Sequence, residues 1–424
     1  MGSVVVVYVQ TQTPLRTSIE DRLAAYSKHG EHDVTYVNVL VPGAGRVLRL
    51  LRPDLVVVDT TVLDTRFSNR IWPSVRKRLA ALEDRRCAKV LLPQDEYFQS
   101  DAVVELARAM RANLLCSVAP ETEWNLLYGE ILGHCKVVRV LTGYLDDGTV
   151  RHVDTLRNQI PRNADVGYRA WRAESFLGRQ GQLKVEIGVR VAAAAPLHGL
   201  SADIVLQHWG ENLLGDAWWR WLIASRWVIG VEGGASILDR DGSLRDITRR
   251  YLARNPRATF EEVEASCFPG RDGELDFRAL SPRHLEACVT RTGQILIEGD
   301  YNGILRPWDH YLPLKRDFSN LDEILELSKN EELRTEIVAR AFQDVVETKV
   351  ADYSVFASTV FSPLPLFLEQ RRSDRSGTRH VVGAFNVWSR GWVLGRSYLR
   401  KVVLSVRRVL RQLREWRTSR NASS

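Results

Sequence analysis

Residues 89–118 read KVLLPQDEYFQSDAVVELARAMRANLLCSV. Lys89–Leu92 is a short apolar run, Asp101–Arg111 spaces its apolar residues as a helix does, and Asn113–Val118 is apolar again. Apolar strands without polar alternation, joined by a helix, predict parallel neighbours covered on both faces. Asp101 is placed to cap the helix. The same cadence runs upstream. Val4–Val9, Val34–Leu40 and Leu55–Asp59 read as strands, and Ser18–Ser27 is helical through Ile19, Leu23 and Tyr26. Trp72–Leu82 is a helix opened by Pro73. Pro42-Gly-Ala-Gly-Arg46 follows the second strand, lacks the longer dinucleotide fingerprint and reads as a loop. Residues 1–135 are expected to form a Rossmann-like domain with ligands beyond the carboxyl ends of its strands.

Downstream the pattern repeats without repeating the residues. Val137–Leu141 reads as a strand and Asp146-Asp147-Gly148 as a turn. Val150–Arg190 is rich in Arg, Gly and aromatics and carries some helix. Lys184–Val191 and Ala202–Val205 read as strands, Asp216–Ser225 as a helix, and Trp227–Val231 as a strand ending in Glu232-Gly-Gly. Leu244–Arg254, Thr259–Glu264, Pro282–Cys288, Leu321–Leu327 and Glu331–Val346 read as helices, and Gln294–Ile297 as a strand. A second α/β domain is expected over 136–370, followed by a polar linker at Ser373–Thr378 within a basic region, 371–424.

Composition bounds the function. The 424 residues are 45% hydrophobic and 26% charged, an ordinary globular balance with room for two domains. The net charge of +7 is unevenly placed. Residues 371–424 hold 14 Arg/Lys and 2 Asp/Glu, so the body before them is mildly acidic, which argues against a nucleic-acid partner. The five cysteines, at 87, 116, 135, 267 and 288, show no metal-type spacing, fit a reduced cytoplasmic compartment and read as small core residues. No basic lead or cleavage site precedes the first strand, Val6 departs from a myristoylation signal, and no apolar run reaches membrane-spanning length. The histidines form no metal-type cluster, and Asp239-Arg240-Asp241-Gly fits a turn better than a cation site, so no metal is expected.

Chemistry is expected where strands meet glycine-flanked polar residues. Ser281 precedes a helix with Pro282 and Arg283 in its first turn and Glu286 one turn on. A helix start attracts a diphosphate, and a carboxylate within it can accept from a ribose diol. Strand Gln294–Ile297 runs into Glu298-Gly299-Asp-Tyr301-Asn302-Gly303, then Arg306 and Lys315. Gly299 and Gly303 allow close backbone approach, while Arg283, Arg306 and Lys315 suit the charge of a leaving diphosphate. Glu232, Gly233 and Ser236 form a second strand-to-loop switch, with Glu232 suited to sugar hydroxyls and Ser236 to phosphate; a plain glycine turn fits them equally. In the first domain, Asp95 and Glu96 follow a strand, where one of them could take an acceptor proton. Thr11-Gln12-Thr13-Pro14 lies on the same edge. Trp218, Trp219 and Trp221 read as core or cleft wall.

Gly230-Val-Glu-Gly-Gly-Ala-Ser236, Ser281–Ala287 and Glu298–Lys315 give residues 1–360 a resemblance to GT-B glycosyltransferases. The similarity is to glycosyltransferase-like proteins of bacterial surface-polysaccharide clusters. It implies two Rossmann-like domains facing across a cleft. The acceptor would bind the first and a nucleotide-diphosphate sugar the second, with Glu286 in the ribose-gripping place. The substrate is then the donor, and no separate cofactor is implied. Arg278 stands where the first of the usual two glutamates would be, eight positions before Glu286, so inversion or retention stays open. A non-catalytic scaffold of a polysaccharide assembly and a sugar-nucleotide epimerase are the competing readings.

From Trp392 onward, Leu399, Val402, Val403, Val406, Val409, Leu410, Leu413 and Trp416 keep helical spacing between arginines. A basic amphipathic helix on an anionic membrane is expected, placing the protein peripherally on the inner face of the cell membrane near a glycan or lipid-linked acceptor. A partner-docking or RNA-binding helix, or a disordered basic tail, would leave the same pattern.

Overall fold

Val4, Val5, Val6 and Val7 are all buried, which puts β1 (Ser3–Tyr8) inside a sheet rather than at its rim. In the computed structural model, which describes residues 2–13, 15–207, 213–365, 383 and 385–397, that sheet has six parallel strands. They are β1, β2 (Asp33–Asn38), β3 (Leu55–Val58), β4 (Ala88–Leu91), β5 (Leu114–Ser117) and β6 (Lys136–Arg139), in the order β2-β1-β3-β4-β5-β6. Every residue of β3, β4 and β5 is buried, as expected of parallel strands with helices on both faces.

A second, five-stranded parallel sheet is built from β7 (Ala164–Trp171), β8 (Ala202–Gln207), β9 (Ser225–Gly230), β12 (Gly293–Ile297) and β13 (Leu312–Leu314). Between β9 and β12 lies an insertion with an antiparallel ribbon of β10 (Gly233–Ala235) and β11 (Phe277–Ala279). The second sheet runs β8-β7-β9-β12-β13, so in both lobes the first strand lies between the second and third. The side on which successive strands are added therefore switches at β1/β3 and at β7/β9, the places where open parallel sheets collect ligands. Two Rossmann-like lobes facing across a cleft, the arrangement the GT-B resemblance implies, are what the chain forms.

Several local expectations are corrected. Lys184–Val191 is not a strand but part of the helix Gly178–Ala194. Its alternating β-branched residues mimic a strand, yet Leu183, Ile187, Gly188 and Val191 are the buried ones, a helical spacing. Strand β7 was missed, as were the short strands β10, β11 and β13. Gly43 begins the helix Ala44–Leu50 in the stretch read as a loop. Gln99, not Asp101, holds the N-cap position of helix Ser100–Met110, and Asp101 lies in its first turn. Asp146 caps the helix Asp147–Arg157 through the Gly148 N–H at 2.7 Å. Strand β6 pairs with β5, so the first sheet extends past the boundary placed at 135.

The chain crosses between lobes twice, side by side. The Leu145 N–H donates to the Ala351 carbonyl at 2.7 Å, and the Tyr353 N–H donates to the Leu145 carbonyl at 3.0 Å. After the second crossing, helix Tyr353–Phe361 returns to the first lobe. There Phe356 meets Tyr26 at 5.7 Å, and the Tyr353 hydroxyl donates to Ser18 O at 3.0 Å. Residues 385–397 form one more helix against the first lobe, starting upstream of the Trp392 expected from the sequence. The remainder of the expected tail helix, and the linker at 373–378, lie outside the described residues. Among the described residues no helix is long and apolar enough to cross a membrane.

Candidate functional site

The first lobe presents a hollow at the carboxyl ends of β3 to β6. Arg22, Thr60, Gln94, Thr142, Gly143 and Tyr353 line it, among others. Asp59, fully buried, holds Arg22 through two hydrogen bonds of 3.1 Å and accepts from Tyr26 at 3.0 Å. The loop after β4 is fixed from below by buried Arg66, which donates to the carbonyls of Gln94, Asp95 and Phe98 at 2.7, 3.0 and 3.3 Å. That clamp holds Asp95 in a left-handed conformation, φ 54°, with its carboxylate accepting from Tyr97 at 2.9 Å.

The two expected acids separate here. Asp95 is half-buried at the cleft. Glu96 turns inward, is fully buried, and accepts from Ser117 Oγ, the Val118 N–H and the Tyr128 hydroxyl at 2.9, 2.9 and 3.1 Å. Burial raises its pKa, with those hydrogen bonds pulling the other way. Glu96 thus holds β5 and the helix behind it and does not face an acceptor. A second acid near this loop was missed: Asp64, after β3, lies 3.9 Å from Arg66 with 45% of its side chain in solvent. Burial raises its carboxyl, with Arg66 opposing and Asp95 adding.

In the second lobe the helix Pro282–Val289 is the focal element. Ser281 stands at its N-cap position without a capping hydrogen bond. Pro282 packs on Gly143, where a β-carbon would come within 2.9 Å of the proline ring. The same first turn therefore packs on the wall of the first lobe's hollow at Gly143. Arg283 donates to the Arg169 carbonyl at 2.8 Å and lines a second hollow with Trp218, Trp221, Tyr168 and Arg169. Trp218 and Trp221 stack at 5.0 Å, and the Arg169 guanidinium lies 4.8 Å from the Trp221 ring centroid. Glu286 accepts from Trp218 Nε1 at 2.9 Å. Its carboxyl is raised by burial, against the pull of Trp218 and Arg283. Asp21 of the first lobe faces it across the cleft, itself raised to about 6 by burial and by Asp146.

Lys184 was missed because its stretch was read as a strand. It reaches the same cleft, where burial and Arg283 pull its amine down to about 8, partly offset by Asp95. Its neighbour His284 is buried, pulled down to about 4 by burial and by Arg283, and lies 3.1 Å from Gln294 Oε1 through Nδ1.

Other expected ligands are occupied by the protein itself. Buried Glu232 accepts from the Asp300 and Tyr301 N–H groups at 3.3 and 2.8 Å, so its carboxylate shapes a loop rather than meeting a sugar. Gly299 is required because a β-carbon there would fall on that carboxylate. Ser236 donates to Asp272 at 2.6 Å and accepts from the Gln180 N–H at 3.2 Å, and so secures the start of helix Gly178–Ala194 instead of a phosphate. Gly233 is paired with Ala279 in the ribbon. Tyr301 is buried with its hydroxyl on Ile297 O at 2.6 Å, and Asn302 accepts from the Leu280 N–H at 2.9 Å. Arg306 is held on the outer surface by Asp309 and Asp344 at 3.0 and 2.6 Å. Glu298, Gly303 and Lys315 are exposed at the strand ends, apart from the hollow. Asp239 caps its own turn through the N–H groups of Gly242, Leu244 and Arg245. Among the described residues no three His, Cys, Asp or Glu side chains are grouped to hold a metal ion.

No protein-family model matches the chain. It is 31% identical over 105 residues to Protein O-glucosyltransferase 1 of Bos taurus, covering 24% of this chain and 26% of that protein. The protein of the same name in Mus musculus is 34% identical over 92 residues, covering 18% and 23%. The chain thus matches about a quarter of the length of these curated relatives. Similar solved structures include an alpha-glucosyltransferase in complex with UDP, with 10% identity and a TM-score of 0.47 over 86% of this chain and all of that one. Anabaena HepE in complex with UDP and glucose gives 10% and 0.45 over the same shares. AviGT4, a glycosyltransferase of avilamycin A biosynthesis, gives 11% and 0.44 over 88% and 99%.

Proposed function

We propose that the protein moves a sugar from a nucleoside-diphosphate sugar held by the second lobe to an acceptor seated on the first. One observation carries this reading: a single helix start joins the two hollows, with Pro282 packed on Gly143 of the first hollow's wall and Arg283 lining the second beside Trp218. Trp218 and Trp221 offer an aromatic wall for the base. Glu286 keeps one carboxylate oxygen for a ribose hydroxyl while the other accepts from Trp218. Arg283 and Lys184 meet the diphosphate as the sugar–oxygen bond breaks, without need of a divalent ion. The acceptor hydroxyl attacks the anomeric carbon, and its proton passes to Asp95 or Asp64. Glucose is the first sugar to test, because the curated relatives are named as O-glucosyltransferases. The acceptor in this reading is a glycan or lipid-linked glycan of a bacterial surface polysaccharide, reached from the cytoplasmic side.

The test is calorimetric titration with UDP and UDP-glucose. Glu286→Ala and Arg283→Ala should each weaken binding by roughly tenfold or more, the scale of a lost charge-assisted contact. Undiminished affinity in both folded variants would overturn the assignment. Hydrolysis or transfer of glucose separates a transferase from a scaffold. Conversion of the donor sugar without acceptor would mark an epimerase.

A further inference from the structure

The helix at 385–397 has two unlike faces. Phe385, Ser389, Val393 and Ser397 are buried against the first lobe. Ser397 Oγ accepts from the Thr13 N–H at 2.8 Å, so the helix sits beside the loop that follows β1. On the opposite face Val387 is 74% exposed, Trp388 57% and Leu394 59%. Gly391 and Gly395 lie on that same stripe, with nothing within 4 Å of where a β-carbon would stand. The spacing 387, 388, 391, 394, 395 follows one helix face, and the glycines leave Trp388 standing above it. Arg390 and Arg396 flank the stripe.

We propose that this outer face seats the first lobe on an anionic lipid surface. An apolar stripe crowned by a tryptophan and edged with arginine is the composition that enters a membrane interface in plane. Charge selects this occupant. The sequence that continues from the helix, 398–424, holds eight Arg/Lys and one Glu. A second copy docked face to face would set these cations against each other, whereas anionic headgroups neutralise them. The contact to Thr13 places the lipid beside the carboxyl edge of the first sheet, on which the acceptor hollow opens. The surface itself depends only on the helix and stands whether or not sugar transfer is the activity.

The full chain should co-sediment with vesicles of phosphatidylcholine containing one third phosphatidylglycerol, and weakly with phosphatidylcholine alone. The double variant Val387→Asp/Leu394→Asp touches only exposed side chains and should keep the circular dichroism and melting temperature of the parent. Its partitioning to the anionic vesicles should fall by roughly tenfold or more, while Trp388→Phe retains binding. The proposal is overturned if the parent ignores anionic vesicles, or if the double variant binds them as well as the parent. It is also overturned if the double variant turns a dimer into a monomer with lipid binding unchanged.

Discussion

Lys184 and Arg283 put two cations into one narrow cleft, and burial, with the repulsion from Arg283 adding to it, pulls the Lys184 amine down to about 8. An anionic diphosphate bound there reverses that balance and favours the protonated amine. Affinity for UDP should therefore be greatest below pH 8 and fall as pH rises through the free protein's pKa. Lys184→Met should bind more weakly and lose that alkaline limb; a parent curve flat from pH 7 to 9.5 would defeat the assignment. In the unliganded protein the sign is different. The folded state prefers neutral Lys184, so the cost of burying its charge is present below about pH 8 and is relieved as pH rises. The methionine variant should therefore melt no lower than the parent at pH 7. Glu232 and Gly299 form a second local unit. Glu232→Ala leaves two N–H groups without their acceptor, about 1–3 kcal/mol, and Gly299→Ala collides with the same carboxylate at a comparable cost of about 1–3 kcal/mol. Together they should cost less than their sum, because removing the carboxylate makes room for the methyl group. Strict additivity in urea unfolding would show that the clash lies elsewhere.

At the scale of elements, strands were the legible part of the sequence. Leu55–Val58 and Lys89–Leu92 are apolar without interruption, and only a two-sided sheet buries such runs. Lys184–Val191 was misread because alternate β-branched residues satisfy a period of two while the buried set follows a helix. β7 was hidden because Arg169 and Gly167 break its apolar run. Gly188 shows why the helix lies so close to the sheet: a β-carbon there would be 3.0 Å from Leu206 and 3.2 Å from Tyr168. Gly188→Val should therefore push the helix off β7 and β8 and destabilise by about 1–3 kcal/mol, read as a lower urea midpoint. An unchanged midpoint would mean that the interface yields. Half of the candidate site was legible for the same kind of reason. A helix start bearing Arg283 and Glu286 looks similar in sequence and in space. A glycine-flanked Glu232 looks the same whether it grips a ligand or its own loop, and Arg306 gives no hint that Asp309 and Asp344, one of them far along the chain, already hold it.

For the whole molecule, the returning helix Tyr353–Phe361 ties the chain's last described third to the lobe that began it. Phe356 is buried between Tyr26, Tyr144 and Tyr353. Phe356→Ala should remove about 3–5 kcal/mol from the first lobe while leaving the second sheet's core untouched. Protection from hydrogen exchange should fall in β1, β3 and helix Thr17–Lys28 and persist in β9 and β12; a uniform loss would show that the lobes melt as one. The paired crossings at Leu145 and Ala351–Tyr353 carry a consequence of their own. Entry to the second lobe and exit from it are adjacent, so everything between them is topologically a cassette. A sister cassette in place of residues 146–350 would enter and leave by the same two stubs without rethreading the sheet that remains, provided it also supplies the side chains, Phe176, Leu238 and Phe277 among them, that share the first lobe's core. Hybrids of mixed parentage with that seam kept would reassign what each half recognises.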